Sequence, residues 1–390
     1  MNPDLYVLCS SSTSAAPGAQ KPLSEHDGRR VPCAVEDLPA VAQEGFPESP
    51  EYVRTSLGAA IALGFEQGAF YRGAEAYCVN LLLTYADGCK ANCAYCGLSR
   101  SREGRYEKKS FIRVKWPTVR VSDVAERISQ PERLRSEVRR VCVSMITHRR
   151  AAADVASVAR VIRAASDVPI SGLLTPTLLA RADLCDMKEA GVDRIGIAID
   201  AATRELFETL RGRGVRGPHS WDRYWAALEE SVDVFGRWMV GSHFIVGLGE
   251  TEQEMAAAVQ RAHDMGVLTH LFSFYPEGGS SMACRKPPAL SSYRRVQLAC
   301  YLINREIARY EDFSFDESGA ITDFGISRQD LLAVVETGWP FVTSGCPGKN
   351  GEIACNRPYA NERPGQPIRN YPFLPGETDL ADIKAQLGLV

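Results

Sequence analysis

Six short apolar segments alternate with amphipathic ones, and this alternation restricts the fold more than any other feature of the sequence. The strand-like segments are Val79 to Tyr85, Val138 to Ile146, Pro169 to Leu174, Arg194 to Ile199, Met239 to Gly247 and Thr269 to Phe274. Helical apolar spacing occurs between them, as in Ala152 to Ala165, Ala180 to Ala190, Trp221 to Phe235 and Thr251 to Met265. Strands joined by helices in this way are parallel, with right-handed crossovers. The sequence therefore predicts an α/β fold, a partial (β/α)6 barrel similar to part of a TIM barrel.

The segments that flank this core have weaker patterns. Residues 1–50 are rich in Ser, Pro, Gly and Ala and contain Cys33, so we predict an irregular N-terminal arm. Residues 51–310 are predicted to form the barrel domain, which begins with a helix around Leu57 to Phe70 and ends with a long helix from Ser291 to Arg309. Residues 311–390 have fewer clear elements and many prolines, which predicts a C-terminal extension.

Three cysteines follow the first predicted strand within one loop, Cys89-Lys-Ala-Asn-Cys93-Ala-Tyr-Cys96. Iron–sulfur clusters are bound by thiolates, and a loop this short can place three of them around one corner of a four-iron cluster. One iron is then left without a protein ligand. The alternative is a zinc knuckle, but a structural zinc site needs four ligands in two pairs, and no neighbouring His or Cys completes one.

The spacing of these cysteines, with Tyr95 before the last, resembles the signature of the radical S-adenosylmethionine (SAM) superfamily. The resemblance implies that Cys89, Cys93 and Cys96 bind the catalytic 4Fe-4S cluster and that the amino and carboxylate groups of SAM chelate the open iron. It implies that SAM is cleaved to a 5'-deoxyadenosyl radical, which abstracts hydrogen from the substrate. Tyr95 then lies at the cofactor, and the superfamily fold is the same partial barrel.

Two further groups are predicted at the C-terminal ends of strands, where parallel α/β folds bind ligands. The fifth strand ends in Gly247-Leu-Gly249-Glu250, which resembles the glycine loop of biotin synthase and lipoyl synthase and implies a contact with the adenosine of SAM. An ordinary strand-to-helix turn is the alternative. The fourth strand ends at Asp200, followed by Arg211 and Arg213. Asp200 would hold the ribose hydroxyls and an arginine, such as Arg213, the SAM carboxylate; solvated charges are the alternative.

Part of the C-terminal extension, Thr343 to Tyr359, carries a second candidate cluster site, and we call it the C-terminal segment. Cys346 and Cys355 flank a glycine-rich loop, whose backbone N–H groups can hydrogen-bond to cluster sulfurs. We predict a second 4Fe-4S cluster on these two cysteines, with Cys33 as the first candidate for a further ligand and Cys284 as the second. A lid with incidental cysteines is the alternative. Cys142, on the second strand, resembles a cluster ligand of biotin synthase, but the third and fifth strands lack the other two, so Cys142 is predicted to be a buried core thiol.

The same C-terminal segment resembles the two-component lipoyl synthases of archaea and some bacteria. This implies sulfur insertion into an octanoyl chain on a lipoyl-carrier protein or peptide, with a paralogous radical SAM partner and an electron donor such as ferredoxin or flavodoxin. One alternative is a mutase or synthase related to methylornithine synthase or the hydrogenase maturase, which Cys96-Gly-Leu-Ser-Arg100 resembles. Others are a biotin synthase-like enzyme and a non-catalytic iron–sulfur protein, although the missing fourth ligand argues against the last.

Charge and composition restrict the partners and the compartment. The 45 basic and 48 acidic residues give a formal charge of -3, which favours neither nucleic acid nor an anionic membrane as a partner. No apolar run approaches the about 18 residues of a membrane span. Twelve cysteines in a long chain with a cluster loop point to a reducing compartment, and we expect the cytoplasm.

Overall fold

A computed structural model of the protein describes residues 45–358 and 365–389. The strands are β1 (Tyr52–Thr55), β2 (Cys78–Leu83), β3 (Thr118–Arg120), β4 (Arg140–Ser144), β5 (Ile170–Leu174), β6 (Val192–Asp200), β7 (Val240–Val246), β8 (Val267–Ser273), β9 (Ser314–Phe315) and β10 (Ile321–Asp323). The helices are α1 (Leu57–Ala62), α2 (Val121–Ile128), α3 (Ala151–Ala165), α4 (Arg181–Glu189), α5 (Arg204–Leu210), α6 (Trp221–Phe235), α7 (Glu252–Asp264), α8 (Leu290–Asn304), α9 (Arg328–Glu336) and α10 (Glu377–Leu387).

Eight of these strands form one sheet in the order β3-β1-β2-β4-β5-β6-β7-β8. The six strands that follow β1 in this order are β2, β4, β5, β6, β7 and β8. They are parallel to one another, and each overlaps one of the six predicted strands. The α/β class is therefore confirmed. The sheet is open, with β3 and β8 at its edges, and does not close into a barrel.

Two antiparallel strands extend the sheet on the β2 side. β1 pairs with both β2 and β3, and neither β1 nor β3 was predicted from the sequence. The first predicted helix is shorter than expected: α1 ends at Ala62, before Gly64 and Gly68. The long helix after the last strand is α8, which ends at Asn304 and not at Arg309, because Glu306 adopts a left-handed backbone with a φ of 56°.

Buried polar contacts attach the C-terminal segment to the N-terminal ends of the parallel strands. Arg140, the first residue of β4, donates from Nε to the Pro347 carbonyl at 2.6 Å. Arg139 donates to the Ile353 carbonyl at 3.0 Å. The Asn356 carboxamide accepts from Tyr77 N at 3.3 Å, immediately before β2. The cluster loop lies at the opposite end of the sheet, after β2, so the two cysteine-bearing segments approach the sheet from different ends.

No helix in the described ranges is both long enough and apolar enough to cross a membrane.

Candidate functional site

A cavity of about 260 Å³ lies among the parallel strands and extends between the cluster loop and the C-terminal segment. Alternate residues of a strand face the same side, and those that face the cavity are mostly apolar or small. From the strands they include Asn80, Leu82, Cys142, Ser144, Leu173, Gly196, Ala198, His243, Ile245 and Phe272. The cluster loop contributes Cys89, Cys93 and Cys96, and the C-terminal segment contributes Cys346, Cys355 and Arg357.

The backbone of the cluster loop is fixed to the last residue of α5 and to the segment that follows β4. Ala94 N donates to the Leu210 carbonyl at 2.7 Å, and Lys90 N donates to the Thr147 carbonyl at 2.8 Å. Within the loop, Cys96 N donates to the Cys93 carbonyl at 3.1 Å. These bonds hold an irregular loop in one conformation, so its three thiols are presented together to the cavity.

Burial raises the pKa of all three loop thiols. The pKa of Cys93 rises to about 11, and the pKa values of Cys89 and Cys96 also rise. Without a bound group these thiols are protonated at neutral pH. Because metal ions bind thiolates, loading the loop must release protons.

Asp200 connects the cluster loop to β6. Its carboxylate accepts a hydrogen bond from the Tyr95 hydroxyl at 2.5 Å and one from Arg211 Nη1 at 2.8 Å. The Arg211 side chain is 2% exposed and also donates to the Ile199 carbonyl at 2.8 Å and the Tyr224 hydroxyl at 2.9 Å. Burial raises the pKa of Asp200 despite the neighbouring guanidinium. Tyr95, Asp200 and Arg211 all line the cavity.

Arg213 lies elsewhere. Its guanidinium is 91% exposed and faces Glu208, with 3.4 Å between Nε and the carboxylate. The structure thus brings Arg211, and not Arg213, to the cavity. Both were recognised in the sequence as charges after the fourth strand, but only the fold distinguishes them: the side chain of Arg211, the residue after α5, is buried, and that of Arg213 is exposed.

The glycine loop after β7 is held by its own glutamate. Glu250 accepts hydrogen bonds from Gly247 N at 2.5 Å and Gly249 N at 3.0 Å. Both glycines have a positive φ, 104° for Gly247 and 136° for Gly249. Ile245, two residues earlier, lines the cavity, whereas the two glycines lie just beyond the described lining. The contact of this loop with the adenosine of SAM stays a prediction.

Four cysteines converge at the other end of the cavity. Cys78, Cys142 and Cys355 form one buried group, packed against Leu173. Cys346 is adjacent, since Cys355 N donates to the Cys346 carbonyl at 3.2 Å. A Cβ atom on Gly345 would lie 2.6 Å from the Cβ of Cys355, so this approach of the chain to itself requires glycine. Cys142 is buried as predicted, but its neighbours are thiols and not only apolar core.

The sequence analysis did not identify Cys78 as a candidate cluster ligand. It is the first residue of β2 and lies on the same face as Asn80, which is opposite Cys142 in the register. Strand periodicity and pairing could therefore have placed it near Cys142. Cys284, a predicted ligand candidate, is exposed and outside the described cavity lining, and Cys33 lies outside the described residues.

One of the four thiols is poised as a thiolate. A hydrogen bond from Cys78, together with the charges of Arg357 and Arg140, lowers the pKa of Cys355 to about 6. The same contact with Cys355, together with burial, raises the pKa of Cys78. Burial raises the pKa of Cys142 to about 12. Burial also raises the pKa of Cys346, so Cys355 alone of the four has a lowered pKa, and the other three thiols must lose a proton before they bind a metal.

Residues 83–262 match the family model of the radical SAM superfamily. This segment, slightly less than half of the chain, therefore carries a radical SAM domain. The match includes the cluster loop and the strands from the end of β2 to β7, and the family implies a 4Fe-4S cluster and SAM as cofactors.

Individual relatives of this protein are distant. GTP 3',8-cyclase of Acaryochloris marina (strain MBIC 11017) is 25% identical over 146 residues, which are 37% of this chain and 44% of that enzyme. The chain thus spans less than half the length of this relative. Among solved structures, methylornithine synthase has a TM-score of 0.45 at 15% identity, over 60% of this chain and 64% of that one. HydG, a maturase of the FeFe-hydrogenase, has a TM-score of 0.45 at 13% identity, over 72% of this chain and 70% of that one.

The residues of the cluster loop fit the cluster that the family match implies. Three thiols of one rigid loop face a cavity that a cofactor can enter. In residues 45–358 and 365–389, no three His, Cys, Asp or Glu side chains are arranged to hold one metal ion. Thiolates around a single zinc ion lie about 3.8 Å apart, given Zn–S bonds of about 2.3 Å. A four-iron cluster binds each thiolate at a different iron, so it suits thiols that are more widely spaced.

Proposed function

We propose that this radical SAM enzyme inserts sulfur into an unactivated C–H bond and carries a second iron–sulfur cluster for that purpose. The observation that carries the proposal is that Cys142, Cys346 and Cys355 line the cavity that the cluster loop also lines, with Cys78 packed against Cys142 and Cys355. These cysteines come from two strands and from a segment more than 200 residues away in the sequence, and they supply a complete set of four thiol ligands. We assign the second cluster to these four residues, in place of the Cys33 and Cys284 ligands expected from the sequence.

The two ligand sets lie at opposite ends of one mostly apolar cavity. When loaded, the cofactors supply a carbon-centred radical at one end and sulfur at the other. The lining from Leu82, Met145, Leu173, Ile245 and Phe272 excludes water and favours an apolar substrate between the two ends. An unactivated C–H bond has no acidic proton for a general base to remove, so its cleavage needs a radical, which a cofactor supplies.

A saturated acyl chain has the shape and polarity that this lining favours. We propose an octanoyl chain on a lipoyl-carrier protein as the substrate and a role as one component of a lipoyl synthase, because the C-terminal motif resembles those enzymes. A paralogous radical SAM protein as a partner and a ferredoxin or flavodoxin as the electron donor are part of this proposal.

The enzyme's own residues have three tasks in this scheme. The cluster loop presents three thiols, and the Asp200 carboxylate fixes this loop through the Tyr95 hydroxyl. Arg211 neutralises Asp200 inside the cavity wall. The C-terminal segment closes the other end and brings Cys346 and Cys355 to the two strand cysteines.

The test counts iron and sulfide after anaerobic reconstitution of three proteins: wild type, a Cys346→Ala, Cys355→Ala double variant, and Cys300→Ala. Cys300 is a matched control, since it is also a buried free cysteine but lies on α8, outside the group of four. We expect about eight irons in wild type and Cys300→Ala and about four in the double variant. Wild type should then convert octanoyl-lysine peptides to thiolated products, and the double variant should still cleave SAM but form no C–S bond.

Two results would count against the proposal. About four irons in all three proteins would mean that a second cluster does not form, and a mutase or synthase reaction that needs only one cluster would be the better hypothesis. Eight irons in all three would mean that the second cluster is bound elsewhere. If wild type holds about eight irons but thiolates no octanoyl peptide, even with the paralogous partner and the electron donor present, the second cluster stands and the acyl substrate is wrong.

A further inference from the structure

Arg357 follows Cys355 by two residues and reaches the same end of the cavity. It is 7% exposed and lines the cavity together with Cys346 and Cys355. Its backbone is left-handed, with a φ of 47°, a conformation that costs free energy for a residue with a side chain and that persists only where the surroundings impose it. The conformation turns the chain so that the side chain of Arg357 points back towards Cys355.

Two contacts hold the guanidinium in place. Nη2 donates to the Ser344 carbonyl at 2.8 Å, and the guanidinium carbon lies 4.2 Å from the centroid of the Phe272 ring. These contacts leave donors on the other side of the group. Nη1 lies 3.9 Å from the Sγ atom of Cys355, and Nε is buried without a hydrogen-bond acceptor among the described residues.

A buried N–H without an acceptor is unfavourable, and it indicates a partner other than the described residues. Arg140, another arginine near these cysteines, differs in this respect. Its Nη1 and Nη2 bind the Asp193 carboxylate at 2.6 and 2.9 Å, and its Nε binds the Pro347 carbonyl. Arg140 is therefore a structural arginine whose donors are used, whereas Arg357 has donors in reserve beside a cysteine.

We infer that Arg357 is a positioning residue that donates hydrogen bonds to sulfur atoms of the second cluster and thereby sets its reduction potential. This inference rests on the proposed function, since it needs a cluster on Cys78, Cys142, Cys346 and Cys355. A positive donor next to cluster sulfurs stabilises the reduced form, which carries one more negative charge, and so raises the potential. The effect is strong in a buried site of low dielectric.

The experiment is a redox titration of the anaerobically reconstituted enzyme, followed by electron paramagnetic resonance, for wild type, Arg357→Gln, Arg357→Lys and Arg139→Gln. Arg139 is the matched control: like Arg357 it donates to a carbonyl of the C-terminal segment and stacks on an aromatic ring, but it has no described contact with a thiol. Iron is counted in each sample, so a missing cluster is recognised before any potential is interpreted.

We expect Arg357→Gln to shift the potential of the second cluster to a more negative value and to leave that of the SAM cluster unchanged. Arg357→Lys should shift it less, because lysine keeps the charge but loses the planar set of donors. Arg139→Gln should match wild type at both clusters. If Arg357→Gln loses the second cluster, the potential of that cluster in Arg357→Lys is compared with the wild-type value instead.

Unchanged potentials at full iron content in the Arg357 variants would overturn the inference while leaving the proposed function intact. An equal shift in Arg139→Gln would also overturn it, since the cause would then be a general loosening of the C-terminal segment. Wild type with only about four irons would instead overturn the proposed function, and with it the inference.

Discussion

At the scale of single residues, Asp200 and Arg211 carry a buried charge pair in the wall of the cavity. Asp200 ends β6 in a left-handed backbone conformation, with a φ of 66°, and this turns its carboxylate towards Tyr95 of the cluster loop. Arg211 supplies the opposite charge from the end of α5. A pair of this kind is held in place by both partners, because removal of one leaves the other charge buried and uncompensated.

We therefore predict that Arg211→Met destabilises the cluster-free protein by about 3–5 kcal/mol at about pH 7. The control Arg213→Met removes an exposed arginine and should change stability by less than about 0.5 kcal/mol. Urea unfolding of both variants measures this difference. Equal stabilities would mean that Asp200 is solvated or protonated in the folded protein.

The pH dependence follows from Asp200. Burial already raises the pKa of this carboxyl in the folded state, and the loss of Arg211 raises it further. A raised acid pKa means that the folded state binds its proton more tightly than the unfolded state does, so stability increases as the pH falls through the folded pKa. The loss of unfolding free energy caused by Arg211→Met should therefore be smaller at about pH 5 than at about pH 7. A deficit that grows on acidification would contradict this.

At the scale of structural elements, the turn between β7 and α7 depends on Gly247. Its φ of 104° is unfavourable for other residues, and a Cβ atom at this position would lie 2.7 Å from Cδ of Pro288. Thr251, the residue before α7, caps this helix through reciprocal hydrogen bonds with Glu254. The position of the helix therefore depends on the preceding turn. The turn thus determines where the C-terminal end of β7 meets the cavity.

We predict that Gly247→Ala destabilises the protein by about 1–3 kcal/mol and weakens SAM binding to the reconstituted enzyme. Gly278→Ala is the control, because a Cβ atom there meets no atom within 4 Å. Thermal unfolding and equilibrium SAM binding give the two readouts separately. A destabilised variant with wild-type SAM affinity would mean that the loop is an ordinary strand-to-helix turn, the alternative that the sequence left open.

At the scale of the whole molecule, local patterns predicted most of the sheet but not how distant segments meet. The six parallel strands were recognised because each is a short apolar run and helical patterns separate most of them. β1 and β3 have four and three residues, which is too short for a periodicity to be detected. The cluster loop was recognised because its three ligands are close in sequence. The second group of cysteines was recognised only in part, because it depends on contacts such as that between Tyr77 and Asn356, which are 279 residues apart.

This long-range closure leads to a last prediction. Cys78 and Cys142 belong to the sheet and Cys346 and Cys355 to the C-terminal segment, so a cluster bound by all four would cross-link the two. Removal of a shared cluster frees the segment with fewer contacts first. We expect amide hydrogens of residues 343–357 to exchange about tenfold or more faster in reconstituted Cys78→Ala than in wild type, while β4 to β7 keep their protection. Cys300→Ala, the buried control, should match wild type throughout. Equal exchange in Cys78→Ala and wild type, at full iron content, would mean that Cys78 is not a ligand and that the C-terminal segment is held by its protein contacts alone.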